Sequence, residues 1–164
     1  MYHRTNEENI MEKITISIDS FDAGGSIPDE YTCKGKNVSP ALSWSGVTAN
    51  TKSLALIMDD PDCAGGTFVH WVLFNIPPEK KNLSKGIPGN KTLADGSRHG
   101  KTDFDRMGYG GPCPPPGKPH RYYFRIYALD KIIDLPPGAT STELEKTMSG
   151  HILAKGEIMG KYSR

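Results

Sequence analysis

The run Gly110-Gly111-Pro112-Cys113-Pro114-Pro115-Pro116-Gly117-Lys118-Pro119-His120-Arg121-Tyr122 constrains this chain more than any other stretch. Proline fixes φ and removes backbone donors, while glycine opens conformations closed to other residues. Such a run can be neither helix nor central strand, yet it has a set shape. It leads straight into a strand-like segment and places His120 at the junction. A rigid loop beside a histidine marks a candidate site.

The rest of the chain reads as short β-branched and apolar segments separated by Pro, Gly, Asn and Asp, the pattern of an antiparallel all-β domain. Strands are expected at Ile14 to Asp19, Ala41 to Trp44, Ser53 to Asp59, Thr67 to Ile76 and Arg121 to Leu129. From Gly86 to Pro119 no periodicity is sustained, and a connection that long is usually functional or disordered. Its prolines favour function. Thr140-Ser141-Thr142-Glu143 resembles a capping box, with Leu144, Met148 and Ile152 following at helical spacing. The pattern predicts a helix of about three turns that Gly156 stops, then a short last strand from Glu157 to Tyr162. Residues 1–12 are polar and unpatterned and read as a disordered tail, with Met11 as an alternative start, so 13–164 form one domain.

Lys plus Arg number 20 against 19 Asp plus Glu, with no basic run. The electrostatic footprint of a nucleic-acid binder is missing. The longest apolar runs, such as Leu54 to Met58, fall far short of the roughly 18 residues that span a bilayer, and the start lacks a signal-peptide core. Both features imply a soluble, cytoplasmic protein without integral membrane association. Cys33, Cys63 and Cys113 each stand alone in their neighbourhoods, which argues against a secreted disulfide framework and for reduced thiols.

Alternate residues of a strand share a face. Leu54, Leu56, Met58 and Asp60 form one such set, Phe68, His70, Val72 and Phe74 a second, and His120, Tyr122, Phe124 and Ile126 a third. Each is apolar along its length and polar at one end. The turn Pro61 to Gly66 is short enough to make the first two segments a hairpin. Asp60 and His70 then share one sheet edge, and His120 joins them if its strand runs antiparallel to that of Asp60. A carboxylate and two imidazoles at the mouth of an apolar pocket suit a small anion, held by imidazoles protonated near neutral pH, by Tyr122 and by the amides around Gly110.

Other chemistries fit less well. Cys63, His70, Cys113 and His120 are ligand types that zinc accepts, but no close Cys or His pair is present, so no metal and no cofactor is expected. A hydrolase using the same histidines as acid and base is the alternative function. It lacks a Gly-x-Ser-x-Gly elbow, and prolines hem in Cys113. Trp44 and Trp71 read as core or pocket-wall aromatics. Arg121, Tyr123, Arg125 and Tyr127 read either as an exposed stripe or as a second covered face.

Over nearly its whole length after Met11 the sequence resembles the phosphatidylethanolamine-binding protein family, also called Raf kinase inhibitor-like proteins, and in particular its bacterial and archaeal branch, and three blocks carry the resemblance. They are Gly35-x-Asn37-x-Ser39-Pro40-x-Leu42-x-Trp44, Asp60-Pro61-Asp62 with His70-Trp71, and Gly110-Gly111-Pro112-Cys113-Pro114-Pro115 with His120-Arg121-Tyr122. The closing Gly150-His151-Ile152-Leu153-Ala154 is similar too. The resemblance implies an antiparallel β-sandwich with peripheral helices and a pocket for phosphate-like or head-group anions. It carries the ligand-binding role to Asp60, Asp62, His70, Pro112, His120 and Tyr122, with Gly110 as an amide donor. It further implies a non-enzymatic regulator of a kinase or serine protease, and a homodimer as often found among prokaryotic members. Cys63-Ala64 stands where many relatives have Ala-Pro, and Phe68-Val69 where bulkier aromatics are common, so the pocket rim differs in shape.

Overall fold

The structure is a computed structural model and describes residues 11–164. It is mostly β. In chain order the strands are β1 (Glu12–Lys13), β2 (Thr15–Ile18), β3 (Leu42–Ser45), β4 (Ser53–Asp60), β5 (Phe68–Ile76), β6 (Asn82–Leu83), β7 (Arg98–His99), β8 (His120–Leu129) and β9 (Ile152–Tyr162), with a 3₁₀ turn at Asp29–Tyr31 and one helix, α1 (Ser141–Met148). Residues 1–10 of the expected tail lie outside the described residues, while Glu12, also assigned to that tail, opens β1.

Six strands form one sheet in the order β1-β9-β8-β4-β5-β7, and β2-β3-β6 form a second. The larger sheet is mixed rather than antiparallel throughout, because β1 runs parallel to β9. Among the described residues the expected peripheral helices reduce to α1 and the 3₁₀ turn.

β4 reads as a nearly continuous apolar run because both of its faces are covered. Leu54, Leu56 and Met58 pack with Ile16, Ile18, Leu42 and Trp44 of the smaller sheet and with Tyr122, Phe124 and Ile126 of β8 in one buried cluster. Ala55 and Ile57 on the other face join Val72, Phe74, Leu144 and Met148 in a second cluster beneath α1. Tyr127 packs against that second cluster, so the Arg121-to-Tyr127 stripe is covered at its far end.

Strand parity fails in β5, and the failure matters for the site. Met58 pairs with Trp71 and Asp59 with Val69, so His70 is the extra residue of a β-bulge. Beyond it the faces exchange. Trp71 and Leu73, not Val72 and Phe74, share the core with Leu54, Leu56 and Met58. The bulge lets His70 and Trp71 both turn toward the side that carries Tyr122.

The helix also corrects its sequence reading. The capping box is formed: Thr140 Oγ1 accepts from Glu143 N–H at 3.1 Å, and Glu143 Oε1 accepts from Thr140 N–H at 2.8 Å. α1 then stops at Met148 after 8 residues, shorter than three turns. Gly150, at φ 83°, makes the stop in the left-handed region that glycine tolerates. Ile152 instead opens β9. Gly156 lies inside that strand because an added Cβ would overlap the carbonyl oxygen of Ile14, beside β1.

Candidate functional site

The hairpin and the β4·β8 pairing converge as the sequence implies. β4 and β5 are antiparallel, with Asp60 opposite Phe68, and β8 runs antiparallel along the other side of β4. At this edge Asp60 is buried, 1% exposed. Its Oδ1 accepts from Asp62 N–H at 2.7 Å, and its Oδ2 accepts from His120 Nδ1–H at 2.7 Å and from the Cys63 thiol at 3.3 Å. Burial, with Asp60 adding to it, pushes the Cys63 thiol up to about 11.

His70 is buried beside this group. Its Nδ1 lies 2.6 Å from the carbonyl of Gly110, an acceptor only, so that nitrogen carries the hydrogen. Gly110 N–H donates in return to the His70 carbonyl at 3.0 Å. The Gly110 amide is therefore spent on positioning His70 and is not the ligand-facing donor expected from sequence. Burial holds the His70 imidazole below its ordinary range, which disfavours the protonated ring that the sequence suggested. Its faces are closed by edge-on contacts with Phe68 at 5.2 Å, Phe104 at 5.1 Å and Tyr122 at 5.3 Å between centroids.

Tyr122 is completely buried, and its ring stacks on His120 at 6.5 Å. Its hydroxyl faces Asp60 and Cys63 and is pushed up by burial and by the Asp60 charge. No protein group meets it within the strict distance and angles of a hydrogen bond, although Asp60 lies close enough to attract its hydrogen. Buried polar groups are nearly always paired, so this one is an exception that calls for a reason.

Asp62 is engaged by Arg121 at the rim. Its carboxylate takes Arg121 through Nε and Nη2 at 2.9 and 2.8 Å and also accepts the Arg121 amide. The guanidinium holds the Asp62 carboxyl down at about 2. Pro112 is buried in the loop, and its carbonyl accepts from Cys33 N–H at 3.1 Å.

The Pro/Gly loop is anchored at points the sequence did not reveal. Cys33 and Cys113 form a disulfide, which corrects the expectation of three reduced thiols. Spacing hid it because the two residues are 80 apart and meet only when the loop folds onto the 3₁₀ turn. Asn37, at φ 58°, accepts from Gly111 N–H at 2.8 Å, and Tyr109 Oη donates to the Tyr31 carbonyl at 2.7 Å. Gly111 must be glycine, since a Cβ would strike Tyr31 O. Cys63, weighed from sequence only as one of several zinc-type ligands, is placed on the Asp60 carboxylate.

An open cavity of about 580 Å³ lies against His120, lined by Asp62, Lys118, Pro119, Arg121 and Lys161. With Arg121 matched to Asp62, Lys118 and Lys161 leave that rim cationic. A cavity of about 690 Å³ lies on the other face of the large sheet against Asp59, Lys101, Asp103 and Glu145 and contains none of the site residues.

Fold and site together define a class of mostly β protein in which a glycine- and proline-rich loop closes over a buried Asp, His and Tyr group at a sheet edge. The family model described as phosphatidylethanolamine-binding protein matches residues 17–163. A UPF0098 protein of Methanothermobacter thermautotrophicus is 49% identical over 145 residues, covering 88% of this chain and 95% of that one. Among solved structures, CT736 of Chlamydia trachomatis, described as a phosphatidylethanolamine-binding protein homologue, superposes with a TM-score of 0.85 at 36% identity, covering 93% of this chain and 98% of that one. Escherichia coli YbcL, described as a member of the mammalian family, also gives 0.85, at 30% identity and with 93% and 99% covered. The chain belongs to the phosphatidylethanolamine-binding protein family. No helix among its described residues is long and apolar enough to cross a membrane.

Proposed function

We propose that this protein is a small-anion-binding regulatory module, taking a phosphate or phospholipid head-group-like anion at His120 and Tyr122 beneath the Pro/Gly loop. The two sheets are read as the layers of a β-sandwich that carries this pocket at one edge. The observation that carries the reading is the Tyr122 hydroxyl, buried beside His120 and without a well-formed protein hydrogen bond. A phosphate or carboxylate oxygen would accept from it, and a charge-assisted bond of that kind is among the stronger ones. The cationic rim of Lys118 and Lys161 would draw the anion in. Three donors already engage the Asp60 carboxylate, which lessens its repulsion of the ligand.

On this reading the fixed loop is the wall of a receptor, and its outer surface offers a docking face to a protein partner, a kinase or a serine protease. Isothermal titration with phosphate, phosphoethanolamine and acetate near pH 6 tests the pocket. Binding by the native protein that His120→Ala abolishes is expected. No heat with any of the three would sink the reading. Inhibition constants against panels of kinases and serine proteases test the partner, and inhibition of neither class removes that part.

A further inference from the structure

We propose that Asp60, Cys63 and His120 form a site for a divalent ion of the zinc class, with a fourth position open to water or to the small anion. One ligand atom from each residue falls within 4.8 Å of the others. Carboxylate oxygen, thiolate sulfur and imidazole nitrogen are all zinc ligands, and three protein ligands with an open fourth position is the arrangement of zinc sites that engage small molecules. The role of the fourth position rests on the anion-binding reading above; the three-ligand site does not.

The contacts already approximate a coordination shell. Tetrahedral geometry with bonds of about 2.0–2.1 Å to N and O and about 2.3 Å to S places O and S about 3.5 Å apart, and O and N about 3.4 Å apart. Asp60 Oδ2 sits 3.3 Å from Cys63 Sγ and 2.7 Å from His120 Nδ1. The second gap must open by about 0.7 Å on those bond lengths, and sulfur and nitrogen, within 4.8 Å of each other, must settle about 3.5 Å apart. A single carboxylate oxygen here receives two hydrogens, one from sulfur and one from nitrogen. A cation would take the place of both: the thiol proton leaves to solvent, and a neutral His120 carries its hydrogen on Nε2 instead of Nδ1.

The surroundings support an ion. Asp60 Oδ1 is held by Asp62 N–H, an outer contact of the kind that orients a metal-bound carboxylate. That contact also fixes the turn that brings Cys63 back toward Asp60. A second observation is Tyr122, whose buried hydroxyl lies toward Asp60 and Cys63 without a well-formed hydrogen bond and would donate to whatever occupies the fourth position. An ion also resolves a conflict of charge, since a bare carboxylate at the base of an anion pocket repels its ligand and a divalent cation reverses the sign.

Cobalt is the probe of choice because a thiolate–Co²⁺ bond gives a near-ultraviolet charge-transfer band. With Cys33 and Cys113 in a disulfide, Cys63 is the one free thiol of the chain, so the band reports on it alone. Protein with the disulfide closed and no histidine tag is stripped of metal and titrated with Co²⁺ in phosphate-free buffer. One equivalent is expected to bind, with the charge-transfer band, visible absorption of tetrahedral strength, release of a proton and displacement by Zn²⁺. Cys63→Ala removes the band and weakens Co²⁺ binding by about 100-fold, at the upper end of what loss of a mere supporting contact causes. Cys63→Ser serves the same purpose should the alanine variant fail to fold.

Co²⁺ bound by Cys63→Ala as tightly as by the native chain, or no stoichiometric binding at all, overturns the site. Phosphate titrated into metal-free protein tests the anion reading separately: binding there without a cobalt band ends the metal proposal and leaves the anion pocket standing. A cobalt spectrum that phosphate does not perturb removes the anion from the fourth position.

Discussion

Replacing Tyr122 by phenylalanine should stabilise the free protein and weaken its ligand binding, two effects of opposite sign from one oxygen atom. The ring would keep its contacts with His70 and His120, 5.3 and 6.5 Å between centroids, so packing is preserved. What goes is a hydroxyl sealed from solvent that makes no well-formed hydrogen bond. A buried donor left unsatisfied costs about 1–3 kcal/mol, and because Asp60 lies close enough to relieve part of that, the lower end, about 1 kcal/mol, applies here. For a chain of this length that is a rise in melting temperature of about 2–4 °C. In the complex the same hydroxyl makes a charge-assisted bond worth about 1.5 kcal/mol, so Tyr122→Phe should bind phosphate roughly tenfold more weakly. Thermal and urea melts without ligand give the first number, and isothermal titration gives the second. A variant that melts below the native protein and binds phosphate equally well would show that the hydroxyl serves the fold, and the case built on it would fall.

Three other outcomes follow from the geometry. Opening the Cys33–Cys113 disulfide, by reduction or as the double serine variant, releases a link across 80 residues; chain entropy puts the loss at about 4.5 kcal/mol, read as a lower urea midpoint, and an unchanged midpoint refutes it. Burial lowers the folded pKa of both His70 and His99. The unfolded chain therefore binds protons first, near pH 6.5, and stability should be fullest above that pH and fall as the pH drops below it. His99 accepts from Trp71 at 3.1 Å and meets the Asn90 carbonyl at 2.7 Å, so His99→Gln, which cannot titrate, should flatten the slope of urea midpoint against pH; an equal slope contradicts this. Gly156→Ala drives a Cβ into Ile14 O and should lose at least about 1–3 kcal/mol as β1 is forced from β9, measurable by chemical unfolding and refuted by a neutral result.

The strands were legible because their signal is local. Alternation between Thr15 and Ile18, the apolar run from Ser53 and the long pattern ending at Leu129 each reflect side chains meeting one or two covered faces. The helix start was legible for the same reason, since Thr140 and Glu143 satisfy each other within one turn. Its end was misread because glycine has two uses. Gly150 takes a left-handed conformation, whereas Gly156 makes room for a backbone that arrives from the other end of the chain, and nothing near position 156 in the sequence distinguishes them.

The same division runs through the site. Asp60, His70 and His120 were legible because a short hairpin and one antiparallel pairing are enough to bring them to a common edge. The bulge at His70 was not, because an inserted residue leaves the apolar pattern intact and merely exchanges its faces beyond that point. Nor could local pattern show that Gly110 spends both of its backbone groups on His70, 40 residues away, or that Asn37 reaches Gly111 across 74. Cys63 is the sharpest instance. It stands alone in its stretch of sequence, and the metal alternative was set aside because no close ligand pair was present. Yet a turn places its sulfur on the carboxylate three residues back, and β8 delivers an imidazole to the same oxygen from 60 residues away. A ligand pair close in sequence is only one way to preorganise a metal site; a buried carboxylate that gathers its partners from two strands and a turn is another, and spacing is blind to it.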